Sequence, residues 1–407
     1  MSGGFDALTR RGFVQQCTDH DAVSRELNDG KIVFYVGFDP TGRSLHAGHL
    51  IPLFALAHLV RAGHTAIALV GGGTARIGDP SGKTEMRRML TVEDIQANAL
   101  SIRGQIDRFL SAAGASAEIV DNADWLADLN YIEFLRDIGR HFSVNRMLSF
   151  ETYKMRLETG LSFIEFNYQL LQSYDFLELY RRHGCTLQVG GDDQWGNIVA
   201  GADLIRRVEA GLAQGLTFPL VTRADGKKMG KTEKGAVFLD PELCSPYDFF
   251  QYWRNVPDQD VGRFLNLYTF LPDDEVARLA SLRDKEINVA KESLAYELTR
   301  LVHGAEQAKT AREAASSVFT GGAATEGTPE LILDADETDG PVVIIELFVR
   351  TGLCGSKSEA RRLFAQGGAY VDDEALSDPD ATVEPVRLKE GIMLRAGKKR
   401  YYRVVRA

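Results

Sequence analysis

Apolar residues in the first half of the chain fall into short unbroken runs, separated by longer segments of helical period. KIVFYVGF reads as a buried strand ending in a turn, and HAGHLIPLFALAHLVRAG continues as a helix that stops at Gly63. HTAIALVGGG is a second buried strand with a glycine-rich exit. Strand, helix and strand in that order make a βαβ unit of a parallel sheet. TLQVGGDDQWGNI again runs from a strand into a helix start. Residues 1 to about 225 are therefore expected to form an α/β, doubly wound, parallel-sheet (Rossmann-like) domain, with ligands beyond the carboxyl ends of the strands.

From about 245 to 318 the pattern turns helical, as in SPYDFFQYWRNV and NVAKESLAYELTRLVHG. TGGAATEGTPELILDADETDG (320–340) holds six acids and no Lys or Arg, and reads as a linker whose LIL could dock on a neighbour. Beyond it, Ser356-Lys-Ser-Glu359 has the capping-box pattern and opens a basic helix, EARRLFAQ, that stops at Gly367-Gly368. IMLRAGKKRYYRVV then reads as a hairpin with a Gly-Lys-Lys turn.

Composition narrows the class. At 407 residues the chain has room for two or three domains, and 44% hydrophobic with 26% charged residues is ordinary for a soluble globular protein. The four cysteines are scattered without a CxxC pair, so neither a disulfide framework nor a zinc site is indicated. No run is long and apolar enough to span a bilayer, and MSGGFDALTRRGF lacks the apolar core of a signal peptide, so a cytoplasmic location without membrane attachment is expected. The net charge of −10 is unevenly spread: Pro341–Ala407 carries 12 Lys and Arg against 9 Asp and Glu, the remainder 35 against 48. A basic tail on an acidic body points to a polyanion contact at one end, with Lys357, Arg361 and Arg362 able to meet RNA phosphates.

Four stretches bear candidate chemistry. His46 and His49 are three apart, not the four of a helical zinc pair, and no third ligand is evident. Beside a helix N-terminus with the small Gly48 between them, they suit an anion such as a phosphate. GGGTARIGDPSGKT ends like a P-loop but leaves three residues between Gly78 and Gly82 where four are required, with Ile77 in the first glycine's place. It is better read as a glycine-rich loop bearing Lys83, Arg87 and Arg88. DGKKMGKTEKG sets Lys227, Lys228 and Lys231 among glycines, which by itself describes a solvated loop but also suits one that closes on a polyphosphate. Finally, Tyr168, Gln172 and Asp175 share one helical face, and Tyr35, Gly37 and Asp39 share one strand face. Each element thus has a tyrosine and a carboxylate able to point at one cleft, although for the helix alone the polar surface of an amphipathic helix is the better reading.

The combination resembles a known family. HAGH after a strand is similar to the HIGH signature of class I aminoacyl-tRNA synthetases, and KMGKT to their KMSKS loop. With YVGFDPTGRSLHAGHL, GDPSGKTEMR and GGDDQWGN between and around them, the chain resembles the bacterial tyrosyl branch along essentially its whole length. The basic tail is similar to the αL-type RNA-binding module that the tyrosyl branch carries and the tryptophanyl branch lacks. A tryptophanyl enzyme and a catalytically dead RNA-binding relative are the alternatives.

The resemblance implies a tyrosine–tRNA ligase with ATP as co-substrate together with Mg²⁺, no dedicated protein metal site, tRNA(Tyr) as partner and a homodimer with its interface near 125–165. By motif match, Thr41 and His46 would stabilise the phosphates and His49 with Gly48 would lie near the ribose. Lys83, Arg87, Lys228, Lys231 and Thr232 would surround the departing pyrophosphate. Tyr35 and Asp175 would bond the phenolic hydroxyl, and Tyr168, Gln172 and Asp79 the ammonium group. Gly191, Asp193 and Gln194 would line the ribose and carboxylate region, with Gln188 nearby and Gly37 and Asp39 toward the adenylate. The implied division is 1–225 catalytic domain with a connective helical insertion, 226–319 KMSKS-type loop and helical domain, 320–340 linker and 341–407 RNA-binding domain. Three departures stand out: Gly230 and Thr232 replace the serines of KMSKS, Asp192 stands where serine is common, and Pro52 falls early in a helix.

Overall fold

The computed structural model describes residues 3–81, 89–222, 224, 229–232, 235–317, 330–334, 340–397 and 400–407. The chain divides into two compact units: Met1–Gly230 with Ala236–Asp240 and Val256–Ala290, and Lys231–Gly235 with Pro241–Asn255 and Lys291–Ala407. Residues 256–290, grouped by sequence with the helical domain, thus belong to the first unit.

The first unit is built on a six-stranded sheet of β1 (Gln16–Cys17), β2 (Val33–Phe38), β3 (Thr65–Val70), β4 (Glu118–Asp121), β5 (Cys185–Gly191) and β6 (Gln214–Phe218), in spatial order β1-β6-β5-β2-β3-β4. Every pairing is parallel except that of β1 with β6. The chain builds outward from β2 on one side through β3 and β4 and on the other through β5 and β6. The direction of winding therefore reverses between β2 and β5, which opens a crevice at their carboxyl ends. Both faces of the sheet are covered, which is why β2 and β3 read as continuous apolar runs.

The helix Leu50–Arg61 follows β2 after a single 3₁₀ turn, Ala47–His49, and buries eight of its twelve residues. Pro52 falls in its first turn, where the missing N–H has no helical acceptor to lose. Phe54 of this helix packs on Tyr268 and Phe270, which follow from the helix Val261–Tyr268, and Arg11 donates to the carbonyls of Thr269 and Leu271. These contacts hold residues 256–290 to the sheet unit. Among the described residues no helix is long and apolar enough to cross a membrane.

In the second unit, residues 330–407 form their own two-layer module. A sheet ordered Glu374–Leu376, Ala369–Val371, Ile392–Ala396, Arg400–Arg406, Glu330–Leu333 backs a core of Phe348, Phe364, Leu394 and Val404. Ile392–Ala396 and Arg400–Arg406 pair antiparallel as the expected hairpin requires, while Lys398 and Lys399 of its turn lie outside the described residues. LIL within the expected linker is a strand, pairing in parallel with Arg403–Arg406. Ser356 Oγ caps the helix Lys357–Ala365 by accepting from Glu359 N, but Glu359 turns back to Gly355 N, closing the box one residue early.

The insertion between β4 and β5 is pinned by one buried ion pair. Arg156 forks onto Glu165 with N–O distances of 2.9 and 3.0 Å, both side chains 3% exposed. Glu165 also completes a capping box with Ser162 at the start of the helix Phe163–His183. Removing one member leaves the other charge buried alone. Glu165→Ala should therefore lower the unfolding free energy by about 3 kcal/mol or more, read from urea denaturation; an unshifted midpoint would contradict this account.

Candidate active site

The strand ends at the switch point open into a cleft of about 520 Å³. Tyr35 reaches it from β2, and Tyr168, Gln172 and Asp175 from the helix Phe163–His183, as their spacing requires. Burial makes this helical stripe part of the interior: Tyr168 is 5% and Asp175 2% exposed.

Asp175 is held on both oxygens. Asn122 Nδ2 donates to Oδ2 at 2.9 Å and Trp125 Nε1 to Oδ1 at 2.8 Å. Burial pushes its carboxyl up to about 7, against those two hydrogen bonds and with further upward pressure from Asp39 and Asp121. Tyr35, 1% exposed, has no hydrogen-bond partner for its hydroxyl among the described residues, and neither has the Oε1 of Gln188, 3% exposed. Burial first, then Asp175, raises the Tyr35 phenol well above its ordinary range, so it stays a proton donor. A buried polar atom without a partner costs on the order of 1–3 kcal/mol, so a ligand that pairs these groups is favoured.

Further along the cleft, Tyr168 Oη donates to Asp39 Oδ2 at 2.8 Å and Thr74 Oγ1 to Asp39 Oδ1 at 2.8 Å. Asp79 accepts from Gln194 Nε2 at 2.7 Å and from Ser81 N at 2.9 Å. Gln172 and Gln194 both accept from Asn197 Nδ2. Asp39, Asp79 and Asp175 line the cleft, and among its described lining residues there is no Lys or Arg. This floor favours a ligand carrying a positive charge.

The mouth has the opposite chemistry. His46 Nδ1 accepts from Gly48 N at 3.1 Å, and His49 Nδ1 accepts from His46 N at 3.1 Å. An accepting Nδ1 carries no proton, so each ring has its N–H on Nε2. The two rings, 4.1 Å apart, thereby form a pair of donors at the start of a helix, suited to an anion. Gly37 borders the cleft with open space where a side chain would project.

Thirteen of the expected residues line this one cleft: Tyr35, Gly37, Asp39, Thr41, His46, His49, Asp79, Tyr168, Gln172, Asp175, Gln188, Gly191 and Gln194. Gly48 does not, and its smallness has another cause: a Cβ there would meet the His46 ring at 2.8 Å. Asp193 lies beside the lining, where burial and Asp79 push its carboxyl up to about 6. Asp192 is turned away from the cleft, accepting from Gln16 Nε2 at 2.6 Å and Thr217 Oγ1 at 2.9 Å. Lys83, Arg87 and Lys228 lie outside the described residues, and of Lys231 and Thr232 only the main chain is described. Gly230 has φ 76°, and a Cβ on it would be 3.1 Å from Ala47 Cβ, so this glycine lies close against the HAGH turn.

Asn122, Trp125, Thr74 and Asn197 were missed by sequence reasoning. Asn122 and Trp125 had a weak signal, an amide and an indole just past a strand's carboxyl end in DNADW.

A parallel sheet with a histidine pair at its switch point, beside an acidic pocket, defines a nucleotide-fold enzyme of the class I synthetase kind. The family model described as tRNA synthetases class I (W and Y) matches residues 27–320. Fold alone does not separate the two branches. The solved C-terminally truncated mitochondrial tyrosyl-tRNA synthetase of Aspergillus nidulans superposes with a TM-score of 0.70 at 29% identity, covering 77% of this chain and 93% of that one. A tryptophanyl-tRNA synthetase from Encephalitozoon cuniculi, 15% identical, shares the fold with a TM-score of 0.54 over 75% and 87% of the two chains. Sequence does separate them. The tyrosine–tRNA ligase of Treponema denticola is 55% identical over 407 residues, all of both chains, and that of Treponema pallidum 55% over 100% and 99%. Residues 323–404 match the tyrosine–tRNA ligase SYY-like C-terminal domain. The chain belongs to the tyrosine–tRNA ligase family of class I synthetases.

The state of Asp175 has a measurable consequence. Its folded pKa of about 7 lies above the roughly 3.9 of an unfolded aspartate. Between those values the folded chain keeps a proton that the unfolded chain has lost, so stability falls as pH rises from about 4 to about 7 and then levels. This group contributes a slope of up to about 1.4 kcal/mol per pH unit. Asp175→Asn should remove that part of the slope in urea titrations between pH 5 and 8; curves parallel to the wild type would contradict the assignment.

Proposed function

We propose that the chain ligates tyrosine to tRNA(Tyr) in two steps at this cleft. The tyrosine carboxylate attacks the α-phosphorus of ATP and expels pyrophosphate, and the tyrosyl group then passes to the terminal adenosine of the tRNA. Mg²⁺ enters with ATP as the ion on its phosphates; among the described residues no group of His, Cys, Asp and Glu is placed to hold a metal. The observation that carries the substrate is the unpartnered Tyr35 hydroxyl in the pocket that also holds Asp175. A phenol donates to Asp175 and accepts from Tyr35, whereas an indole or a phenyl ring leaves both unmatched.

Tyr168, Gln172 and Asp79 receive the ammonium group in this reading, supported by the acidic lining around them. Asp39 and the Gly37, Gly191, Asp193 and Gln194 edge face the adenylate. His46, with Thr41, donates to the phosphates and His49 serves the ribose, in keeping with their Nε2–H groups. Lys83, Arg87, Lys228, Lys231 and Thr232 act on the pyrophosphate by motif match. No protein nucleophile is required, so catalysis is positioning and charge stabilisation.

A homodimer completes the proposal. Tyr131, Ile132, Val144, Leu157 and Phe163, each more than half exposed, put apolar area on the 125–165 segment, as an interface would need. A cytoplasmic location fits the reaction.

ATP–pyrophosphate exchange should depend on tyrosine and not on tryptophan or phenylalanine. Tryptophan-driven exchange would move the chain to the sister activity, and no exchange would make it a dead relative. In the same assay Lys231→Ala should cut adenylate formation far more than tyrosine affinity, since its partner charge develops in the transition state; equal losses would remove it from that role.

A further inference from the structure

The sheet of the 330–407 module has one face packed on its helices, and the residues of the other face are partly exposed. Ala369, Val371, Ile392, Leu394, Ala396 and Val404 point into the core. The alternate residues therefore point outward, and strand register sets three of them in line. Tyr370 pairs with Arg395, and Arg395 with Tyr401, across three adjacent strands. The Arg395 guanidinium lies 3.5 Å from the Tyr370 ring centroid and 5.8 Å from that of Tyr401. It is fixed there by Asp373 at 3.2 Å and by donation to Gly397 O at 3.2 Å. Both tyrosines are partly exposed, and Ile332 on the edge strand is 65% exposed.

We propose that this Tyr370–Arg395–Tyr401 row is a second RNA surface of the module, on which unpaired nucleotides of the tRNA stack their bases. The proposal rests on the tRNA ligase reading above. Planar rings and a held guanidinium are what a nucleobase stacks on, and they read single strands in preference to duplex. The arginines of this face, Arg395 and Arg403, are paired with Asp373 and Glu330, so it offers little free charge for phosphates. Arg361 and Arg362 are exposed on the helix Lys357–Ala365, in the layer across the core. Base contact and phosphate contact are thus divided between opposite faces, and they differ in salt dependence.

The test is the dissociation constant of the full-length chain for a tRNA(Tyr) transcript over a range of KCl, with adenylate formation measured in parallel. Tyr370→Ala with Tyr401→Ala should weaken binding by about five-fold to a hundred-fold at every salt concentration. The log–log salt slope and adenylate formation should not change. Tyr370→Phe with Tyr401→Phe should bind within about two-fold of the wild type. Arg361→Ala with Arg362→Ala should instead flatten the slope. If thermal melts show that the alanine pair unfolds the module, Arg395→Lys, which keeps the charge and loses the plane, should give the same salt-independent loss. Unchanged affinity in the folded variants overturns the proposal while leaving the ligase reading intact; a wild-type chain that neither binds nor charges the tRNA overturns the ligase reading itself.

Discussion

A carboxylate taken out of water must be hydrogen-bonded or give up its charge, and Asp175 is held where these two outcomes nearly balance. Asn122 and Trp125 supply the two hydrogen bonds. Asn122 carries the arrangement onward: its Nδ2 also meets Thr74 Oγ1 at 3.0 Å, and its Oδ1 accepts from Gly73 N at 2.7 Å. Thr74 in turn donates to Asp39, which accepts from Tyr168. One polar network therefore runs from the closed end of the cleft to its reactive side, crossing three strands and a helix. The glycines after β3 belong to this network: a Cβ on Gly71 would lie 2.0 Å from Asp39 Oδ1, and one on Gly73 2.8 Å from Leu126 Cβ. That turn is glycine-rich because side chains and main chain converge on it.

The cleft separates charge along its length. Its floor is acidic, lined by Asp39, Asp79 and Asp175. Its mouth carries two imidazoles whose protons are directed by main-chain hydrogen bonds at Nδ1. For the proposed reaction, which needs no protein nucleophile, donors already in place require no rearrangement as charge moves toward pyrophosphate. Gly48 lets the His46 ring fold over the turn, and Gly230 lies against Ala47 of that turn.

Much of this was legible in the residues. The i, i+4, i+7 spacing of Tyr168, Gln172 and Asp175 and the period of two through Tyr35, Gly37 and Asp39 put each set on one face, because local geometry alone determines those directions. Motif order then joined the two sets in one cleft. Asn122 and Trp125 were not legible, since they meet Asp175 from about 50 residues away and nothing in local spacing records such a contact. Nor was it legible that a Cβ on Gly48 would meet the His46 ring. Asp192, which stands where serine is common, is turned aside because the antiparallel addition of β1 beside β6 brings Gln16 within reach. LIL could be read as linker or strand, and the free edge beside Arg403–Arg406 decided for strand.

The sequence by itself determined the order of strands and helices, the positions of the catalytic motifs and the family, because these depend on short-range period and residue type. Only the tertiary structure decided which carboxylate is dry, which hydroxyl lacks a partner and which ring nitrogens hold protons. Those properties depend on burial and on hydrogen bonds between distant segments, which exist only once the sheet has brought the segments together.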